Sequence, residues 1–173
     1  MGEDVSIDES FELFVRCHHR SVRALVIALY GGQDPDDIVQ EAFLRAQREW
    51  PSLARRDRPE LWVRRVAMNL AVSRFRRWRS ESKALVRLAG RRESKVVVLS
   101  AESAAVWKEV RLLPARQAQV VALRYLEDLT VAEIAATLGI AEGTVRATLH
   151  QARVTLGQRL APGAEVSVEE DLR

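Results

Sequence analysis

The chain is poor in the residues that mark several protein classes. Its 173 residues include a single cysteine, Cys17, which can form neither an internal disulfide nor a structural zinc site, so the cytoplasm is the expected compartment. Five prolines and eight glycines are too few for a collagen-like or low-complexity chain. No stretch approaches the ~20 apolar residues that a membrane span needs, and the acidic N-terminus is unlike a signal peptide. We expect a globular protein that is neither exported nor inserted into a membrane.

Signals for β-structure and for catalysis are equally scarce. The only run of β-branched residues lies at residues 96–98, whereas apolar residues elsewhere recur three and four positions apart, which predicts an all-α fold. The sequence has no glycine-rich phosphate loop, no nucleophile beside a base and no metal-ligand spacing. His18 and His19 next to Cys17 do not form a site, because neighbouring residues on a helix point in different directions. We expect no enzyme activity, no cofactor and no bound metal.

Three helices are predicted in the N-terminal part. The first is closed by Gly31 and Gly32, which suit a left-handed terminal residue. The second takes Asp34 as its cap and Pro35 in its first turn, and it runs to about residue 49. A loop at residues 50–59 precedes the third helix, at residues 60–78. The apolar face of the first helix comprises Phe11, Phe14, Val15, His18, Val22, Leu25, Val26 and Leu29.

The third helix combines apolar residues with a dense set of arginines. Its inward positions are predicted to be Leu61, Val66, Leu70, Val72 and Phe75. Its basic residues are Arg64, Arg65, Arg74, Arg76, Arg77 and Arg79. Aromatic rings at Trp50, Trp62, Phe75 and Trp78 either stack on unpaired bases beside these arginines or fill the core of the module. For Trp62 and Phe75 we favour the core.

The pattern of residues predicts two helical domains, at residues 1–80 and 104–161. Residues 81–103 are charged and small, which is typical of a flexible basic linker. Helix resumes at residues 104–112, and Pro114 starts another helix. The last residues, 162–173, form an acidic tail that is expected to be disordered.

The strongest local signal is a helix-turn-helix at residues 130–160. Thr130 and Glu133 have the spacing of a capping box, and Gly139 lies where the turn needs a residue without a β-carbon. On the second helix, Val145, Leu149, Ala152 and Leu156 form an inward stripe. An ordinary helical hairpin is the alternative, but cap, turn glycine and stripe occur in register, which favours DNA binding.

Three motifs follow one another along the chain: residues 34–46 (DPDDIVQEAFLRA), residues 61–77 (LWVRRVAMNLAVSRFRR), and residues 113–125 (LPARQAQVVALRY) with 143–146 (GTVR). In this order they resemble extracytoplasmic-function sigma factors, the small two-domain initiation factors of bacterial RNA polymerase. The first motif resembles the polymerase-binding helix of that family, and the second resembles its helix for the upstream edge of the melted promoter. The third resembles its C-terminal domain.

The resemblance implies three functional surfaces. Core polymerase is expected to contact Asp36, Asp37, Gln40, Glu41 and Leu44. The upstream edge of the melted region is expected to contact Arg64, Arg65, Asn69, Ser73, Arg74 and Arg77, with a flipped base received by the loop at residues 50–59. The promoter element farther upstream is expected to contact Arg124, Thr144, Arg146, Ala147, His150 and Arg153. A protein inhibitor, an anti-sigma factor, is also expected.

The sequence departs from the family at three positions of the second helix. Ala147, Thr148 and Gln151 stand where serine and two arginines are common, so usual phosphate contacts are missing. Two other functions remain possible at this point. The first alternative is an operator-binding regulator, which would require a sensor or dimerisation module. The second is an interaction protein for which DNA binding is incidental.

Overall fold

A computed structural model describes residues 7–31, 35–85 and 101–160, which form eight helices and no strand. The predicted all-α class is confirmed. The chain divides into two compact units, Met1–Val98 and Leu99–Arg173, called here the N-terminal and C-terminal units. The helices are α1 Ile7–Tyr30, α2 Pro35–Arg48, α3 Trp50–Leu53, α4 Pro59–Leu85, α5 Ala101–Arg111, α6 Ala115–Tyr125, α7 Val131–Leu138 and α8 Glu142–Leu160.

The N-terminal unit is built on mutual packing of α1, α2 and α4. The predicted inward face of α1 is confirmed at its centre, where Val22, Leu25 and Val26 are fully buried. Gly31 ends α1 in the left-handed conformation, with φ of 60°, and its N–H donates to the Ile27 carbonyl at 3.1 Å. Gly32 and Asp34, which the sequence placed in the same connection, lie outside the described residues.

The buried face of α4 differs from the predicted one. The structure buries Val63, Ala67, Met68 and Ala71 with Val72 and Phe75, whereas Leu61, Val66 and Leu70 are only half-buried. Apolar residues occur on several sides of this helix, so periodicity alone does not choose between faces. Packing against α1 and α2 selects the side with two alanines, because small side chains let helices cross closely.

Three other features of the helices also differ from the predictions. Helix α4 continues past residue 78 to Leu85, because no glycine or proline interrupts it before Gly90. The predicted loop at residues 50–59 begins with the short helix α3, with Pro51 in its first turn. Helix α5 begins at Ala101, three residues before the predicted start. The rest of the predicted linker, residues 86–100, and the acidic tail lie outside the described residues.

The C-terminal unit contains the predicted helix-turn-helix. The Thr130 side chain accepts from the Glu133 N–H at 3.3 Å, and Glu133 Oε2 accepts from the Thr130 N–H at 2.8 Å, which completes the capping box. Gly139 is left-handed, with φ of 66°, and ends α7. Helix α8 then buries Val145, Leu149 and Ala152 against the other helices, while Leu156 is half-buried.

Candidate polymerase and nucleic-acid interfaces

The expected polymerase-binding residues share one side of α2. Asp36, Asp37, Gln40, Glu41 and Leu44 recur at steps of three and four residues. Four of them are exposed and Glu41, which accepts from Arg45 at 2.8 Å, is half-buried. Leu44 is 41% exposed, an apolar side chain in the middle of a polar face. A single exposed leucine is common on protein surfaces, so the assignment of this face to a protein partner rests on the family resemblance.

Two of these acidic residues, Asp36 and Asp37, pair with arginines of other helices in the same unit. Asp36 accepts from Arg23 of α1, with Nε to Oδ1 at 2.6 Å and Nη2 to Oδ2 at 3.4 Å. The hydrogen bond from Arg23 lowers the pKa of the Asp36 carboxyl. Asp37 Oδ2 lies 3.9 Å from Arg74 Nη1 of α4. The sequence assigned Asp37 and Arg74 to different partners, and the structure brings them together.

Helix α4 presents an exposed polar stripe. Arg65, Asn69, Ser73 and Arg77 follow one another at steps of four residues, so they lie along one side of the helix, and all are exposed. Arg76 is exposed three residues after Ser73 on the same side, yet it was not among the expected contacts. Helical spacing from Ser73 was the signal that identifies it. Arg65, Arg76 and Arg77 have no hydrogen bond or ion pair within the described part of the chain.

Arg64 and Arg74 lie off this stripe. Arg64 is half-buried and close enough to α1 that its charge acts on His18. Burial lowers the pKa of the His18 imidazole, Glu60 opposes the shift and Arg64 adds to it. Arg74 faces Asp37 instead. The six residues of α4 expected to contact DNA therefore differ in their surroundings. Arg65, Asn69, Ser73 and Arg77 form the exposed stripe, Arg64 is half-buried, and Arg74 is exposed beside Asp37 of α2.

The aromatic side chains of the N-terminal unit divide in the same way. Trp50 is 4% exposed and packs against Phe11 and Phe14, with ring centroids at 5.2 and 4.7 Å. Phe75 is buried, as favoured from the sequence, and Trp62 is half-buried. Trp78 is 47% exposed, and its ring lies 5.9 Å from that of Phe75. Trp78 is thus the tryptophan of this unit whose face is most open to a base.

The exposed side of α8 carries four of the six residues expected to contact the upstream promoter element. Thr144, Arg146, Ala147 and His150 are all exposed. Arg146 Nη2 donates to Glu142 Oε2 at 2.9 Å one turn earlier. A helix with this short, mixed polar surface is suited to enter the major groove.

The other two expected contacts, Arg153 and Arg124, are half-buried and held by neighbours. Arg153 Nε donates to the Tyr125 hydroxyl at 2.7 Å, and its guanidinium lies 5.8 Å from the centre of that ring. Arg124 Nη1 donates to the Leu129 carbonyl at 3.2 Å, which ties the end of α6 to the segment before α7. The sequence predicted no contact for Tyr125, because nothing in the local pattern indicates a hydrogen bond to a residue 28 positions away.

An open groove of 530 Å³ runs between α8 and the start of α6. Its α8 wall is continuous with the exposed face just described, since both include Thr144 and Ala147. The lining residues are Pro114, Arg116, Gln117, Gly143, Thr144, Ala147, Thr148 and Gln151. The sequence prediction missed the α6 wall, for which the available signal was a basic residue in the turn that follows Pro114.

The described residues, 7–31, 35–85 and 101–160, contain neither a candidate metal site nor a candidate membrane span. No group of three histidine, cysteine, aspartate or glutamate side chains is placed to hold a metal ion within those ranges. Within the same ranges, no helix combines the length and the apolar character required to cross a bilayer.

The fold and the surfaces define a class: a helical protein of two units, one of which contains a helix-turn-helix. Residues 14–81 match the family model for sigma-70 region 2, and residues 103–156 match the model for sigma-70 region 4. The chain belongs to the sigma-70 family, in its extracytoplasmic-function group.

Individual relatives agree with this assignment. The RNA polymerase sigma-E factor of Streptomyces avermitilis is 30% identical over 154 residues, which cover 87% of this chain and 84% of the relative. The ECF RNA polymerase sigma-E factor of Escherichia coli is 29% identical over 170 residues, covering 89% and 88%. The fold resembles that of the sigma factor RpoE from Bartonella quintana, solved with the anti-sigma factor NepR, with a TM-score of 0.67 at 20% identity and coverage of 90% and 99%.

Proposed function

We propose that the chain acts as an initiation factor that binds core RNA polymerase through α2 and holds promoter DNA through α4 and α8. The observation that carries the proposal is the presence of two exposed polar helix faces, the stripe of α4 and the face of α8, within one chain that matches both sigma-70 regions. An operator-binding regulator is not favoured, because the family match takes up the part of the chain where a sensor module would lie.

In the proposed mechanism, α2 binds the clamp of the polymerase large subunit. Gln40, Leu44 and the acidic residues of the first turn supply polar contacts around an apolar centre. The Arg23–Asp36 pair joins the start of α2 to α1, and the buried side chains of Ile38, Val39 and Phe43 hold α2 in place before the polymerase arrives. A rigid contact surface loses less conformational entropy on binding than a flexible one.

The α4 stripe is proposed to bind the upstream edge of the melted region. Arg65, Arg76 and Arg77 hold phosphates, while Asn69 and Ser73 between them reach base edges. Trp78 stacks on a base once the strands separate. The segment that contains α3, residues 50–59, receives a flipped base, whose unstacking requires a few kcal/mol that these contacts offset. Arg64, which is half-buried, acts mainly by positioning its neighbours, whereas exposed Arg74 adds a cation beside the stripe.

The α8 face is proposed to bind the upstream element in the major groove, with Arg146 and His150 nearest the base edges. Arg153 and Arg124 reach phosphates from the half-buried positions in which Tyr125 and Leu129 hold them. We further propose that the factor works in the cytoplasm without catalysis of its own, since RNA synthesis belongs to the polymerase. A protein inhibitor is part of the proposal because the structural neighbours are described as complexes with anti-sigma factors or cytosolic partner domains.

Reconstitution tests this function. The purified chain is mixed with core polymerase and a library of genomic fragments, and run-off transcripts are sequenced. We expect transcripts whose start sites share two upstream sequence elements and which core polymerase alone does not produce. Failure to co-purify with core polymerase, or the absence of promoter-dependent transcripts from a reconstituted complex, would contradict the proposal.

A further inference from the structure

His18 of α1 is half-buried beside an aromatic cluster. Its ring lies against that of Phe14, with the centroids 4.7 Å apart, and Phe14 in turn packs against Trp50, also at 4.7 Å. Trp50 is the first residue of α3 and of the segment at residues 50–59. Its Nε1 is buried and makes no hydrogen bond within the described residues, so packing of the ring sets the position of the indole. The start of this segment therefore depends on a chain of rings that ends at His18.

The other end of the segment lies beside the charges that act on the same histidine. Arg58 Nε donates to Glu60 Oε1 at 2.9 Å, and the Glu60 side chain is only 16% exposed. Glu60 and Arg64, both of α4, are close enough to His18 that their charges act on its imidazole. The charge of Glu60 favours a proton on the ring, whereas that of Arg64 disfavours it. His18 is thus linked to the start of the segment through Phe14 and to its end through Glu60.

The protonation state of His18 bears on both links. Burial lowers the pKa of the imidazole below its usual value of about 6.5, Glu60 opposes the shift and Arg64 adds to it, so the ring is mainly neutral at pH ~7. A charged ring would lose part of its hydration at this half-buried position and would compete with Arg58 for the Glu60 carboxylate. Because the pKa is lower in the folded chain than in the unfolded one, the stabilisation is complete above pH ~6.5 and is lost as the pH falls through the folded-state pKa.

We propose that neutral His18 is a positioning residue for the segment at residues 50–59, and that protonation of His18 at mildly acidic pH releases this segment. The inference rests on the proposed function, in which the segment receives a flipped base, and extends it to the residues that hold the segment in place. We assign His18 no contact with DNA, because it acts through Phe14 at one end of the segment and through Glu60 at the other.

The pH dependence of promoter opening by the reconstituted holoenzyme tests the proposal. Opening is followed by fluorescence of 2-aminopurine in the melted strand, and each variant is compared with wild type at the same pH, so that the pH dependence of the polymerase cancels. His18→Phe keeps an aromatic ring against Phe14 but takes up no proton. It should match wild type at about pH 7.5 and exceed it about threefold to tenfold at about pH 5.5, since each pH unit below the pKa lowers the neutral fraction about tenfold.

Two further variants separate the ring from the charge. His18→Ala removes both, and it should open the promoter poorly at either pH because Phe14 loses the ring that packs against it. His19→Phe is the matched control, since His19 is the exposed neighbour on α1 and its ring lies against Phe43 of α2 instead. It should follow wild type at both values of pH. An equal gain at low pH for His19→Phe and His18→Phe, or identical pH profiles for His18→Phe and wild type, would overturn the inference.

A spectroscopic measurement on the chain alone separates this role from the proposed function. The indole N–H signal of Trp50, assigned with Trp50→Phe, is followed by NMR as the pH is lowered. In wild type it should shift together with the titration of the His18 ring, whereas in His18→Phe it should stay in place. A Trp50 signal that does not follow His18 contradicts the positioning role. If the wild-type holoenzyme gives no promoter-dependent transcript, the proposed function fails instead, and the Trp50 signal still decides whether His18 positions α3.

Discussion

The two helices proposed to bind DNA, α4 and α8, differ in the surroundings of their arginines. On α4, Arg65, Arg76 and Arg77 are exposed and have no ion pair within the described residues. On α8, Arg146 pairs with Glu142 and Arg153 is held by Tyr125. Unpaired arginines bind phosphate wherever the backbone presents it, whereas tethered ones fit a fixed geometry. If both helices bind DNA as proposed, we expect the N-terminal unit to supply most of the affinity and the C-terminal unit to supply alignment.

The largest expected effect comes from reversing the unpaired charges of α4. Arg65→Glu with Arg77→Glu should weaken promoter binding and opening on the order of 100-fold, because two phosphate contacts become repulsions. Permanganate reactivity of the melted strand and filter binding measure the loss. The control is Arg16→Glu with Arg20→Glu on α1, which changes net charge equally. Equal losses in the two variants would show that overall charge, not the stripe, is responsible.

The second prediction concerns polymerase binding by α2, a function proposed for the N-terminal unit and not for the C-terminal unit. Asp37→Arg with Gln40→Ala should weaken association with core polymerase about 30-fold, or ~2 kcal/mol, a typical value for central interface residues. Helicity and the unfolding midpoint should stay unchanged, because both residues are exposed and the Asp37–Arg74 pair contributes little. Analytical ultracentrifugation with core polymerase checks the prediction. Unchanged association would remove this face from the proposed mechanism.

Trp78 gives a third test, which separates binding from melting. Trp78→Ala should reduce open-complex formation about tenfold on duplex promoter, since stacking on a base contributes ~1–3 kcal/mol. Fluorescence of 2-aminopurine placed along the melted strand should locate the stacked base. Trp78→Phe keeps an aromatic face and should recover most of the rate. If Trp78→Ala opens the promoter as fast as wild type, the exposed ring has another role.

The fourth prediction concerns the hydrogen bond by which Tyr125 holds Arg153 in the C-terminal unit. Tyr125→Phe removes the hydroxyl that accepts from Arg153 Nε but keeps the ring beneath the guanidinium. We expect binding of the upstream element to weaken about fivefold, in line with ~1 kcal/mol for a hydrogen bond. Arg153→Ala measured beside it, and in the double variant, should show that the two effects are not additive. Additive effects would mean that Tyr125 acts independently of Arg153.

These comparisons also show what the sequence could predict. Helix class, the helix-turn-helix and its capping box follow from local rules of spacing and capping, and the structure confirms them at Thr130, Glu133 and Gly139. The buried face of α4 did not follow, because tertiary packing chose Ala67 and Ala71 over the larger Leu61 and Leu70. The role of each site residue stays a prediction.

Contacts between distant residues were the part that the sequence could not provide. The bond from Arg153 to Tyr125 and the approach of Arg74 to Asp37 join different helices, and no periodic pattern within one helix records them. The same holds for the groove of the C-terminal unit, whose walls come from both α6 and α8. The sequence therefore predicted most of the exposed residues of the candidate sites, but it did not predict the hydrogen bonds and ion pairs that join them to other helices.

The smallest expected effect concerns two glycines of the C-terminal unit. A β-carbon on Gly139 or on Gly143 would meet nothing within 4 Å, so the two differ in backbone conformation alone. Gly143 lies in α8, and Gly143→Ala should raise the free energy of unfolding by ~0.5–1 kcal/mol. Gly139 is left-handed, with φ of 66°, and Gly139→Ala should lower it by ~1–2 kcal/mol.

Chemical denaturation measures both changes, and promoter binding then sharpens the comparison. If the DNA backbone passes close to the start of α8, Gly143→Ala should bind the promoter about threefold more weakly despite being more stable, because the new methyl group occupies the rim of the groove between α6 and α8, which Gly143 lines. Gly143→Ser should bind at least as weakly, since it adds a larger group at the same place. A Gly143→Ala variant that is more stable and binds DNA as tightly as wild type would mean that no backbone approaches this rim, and that alignment by α8 relies on its side chains alone.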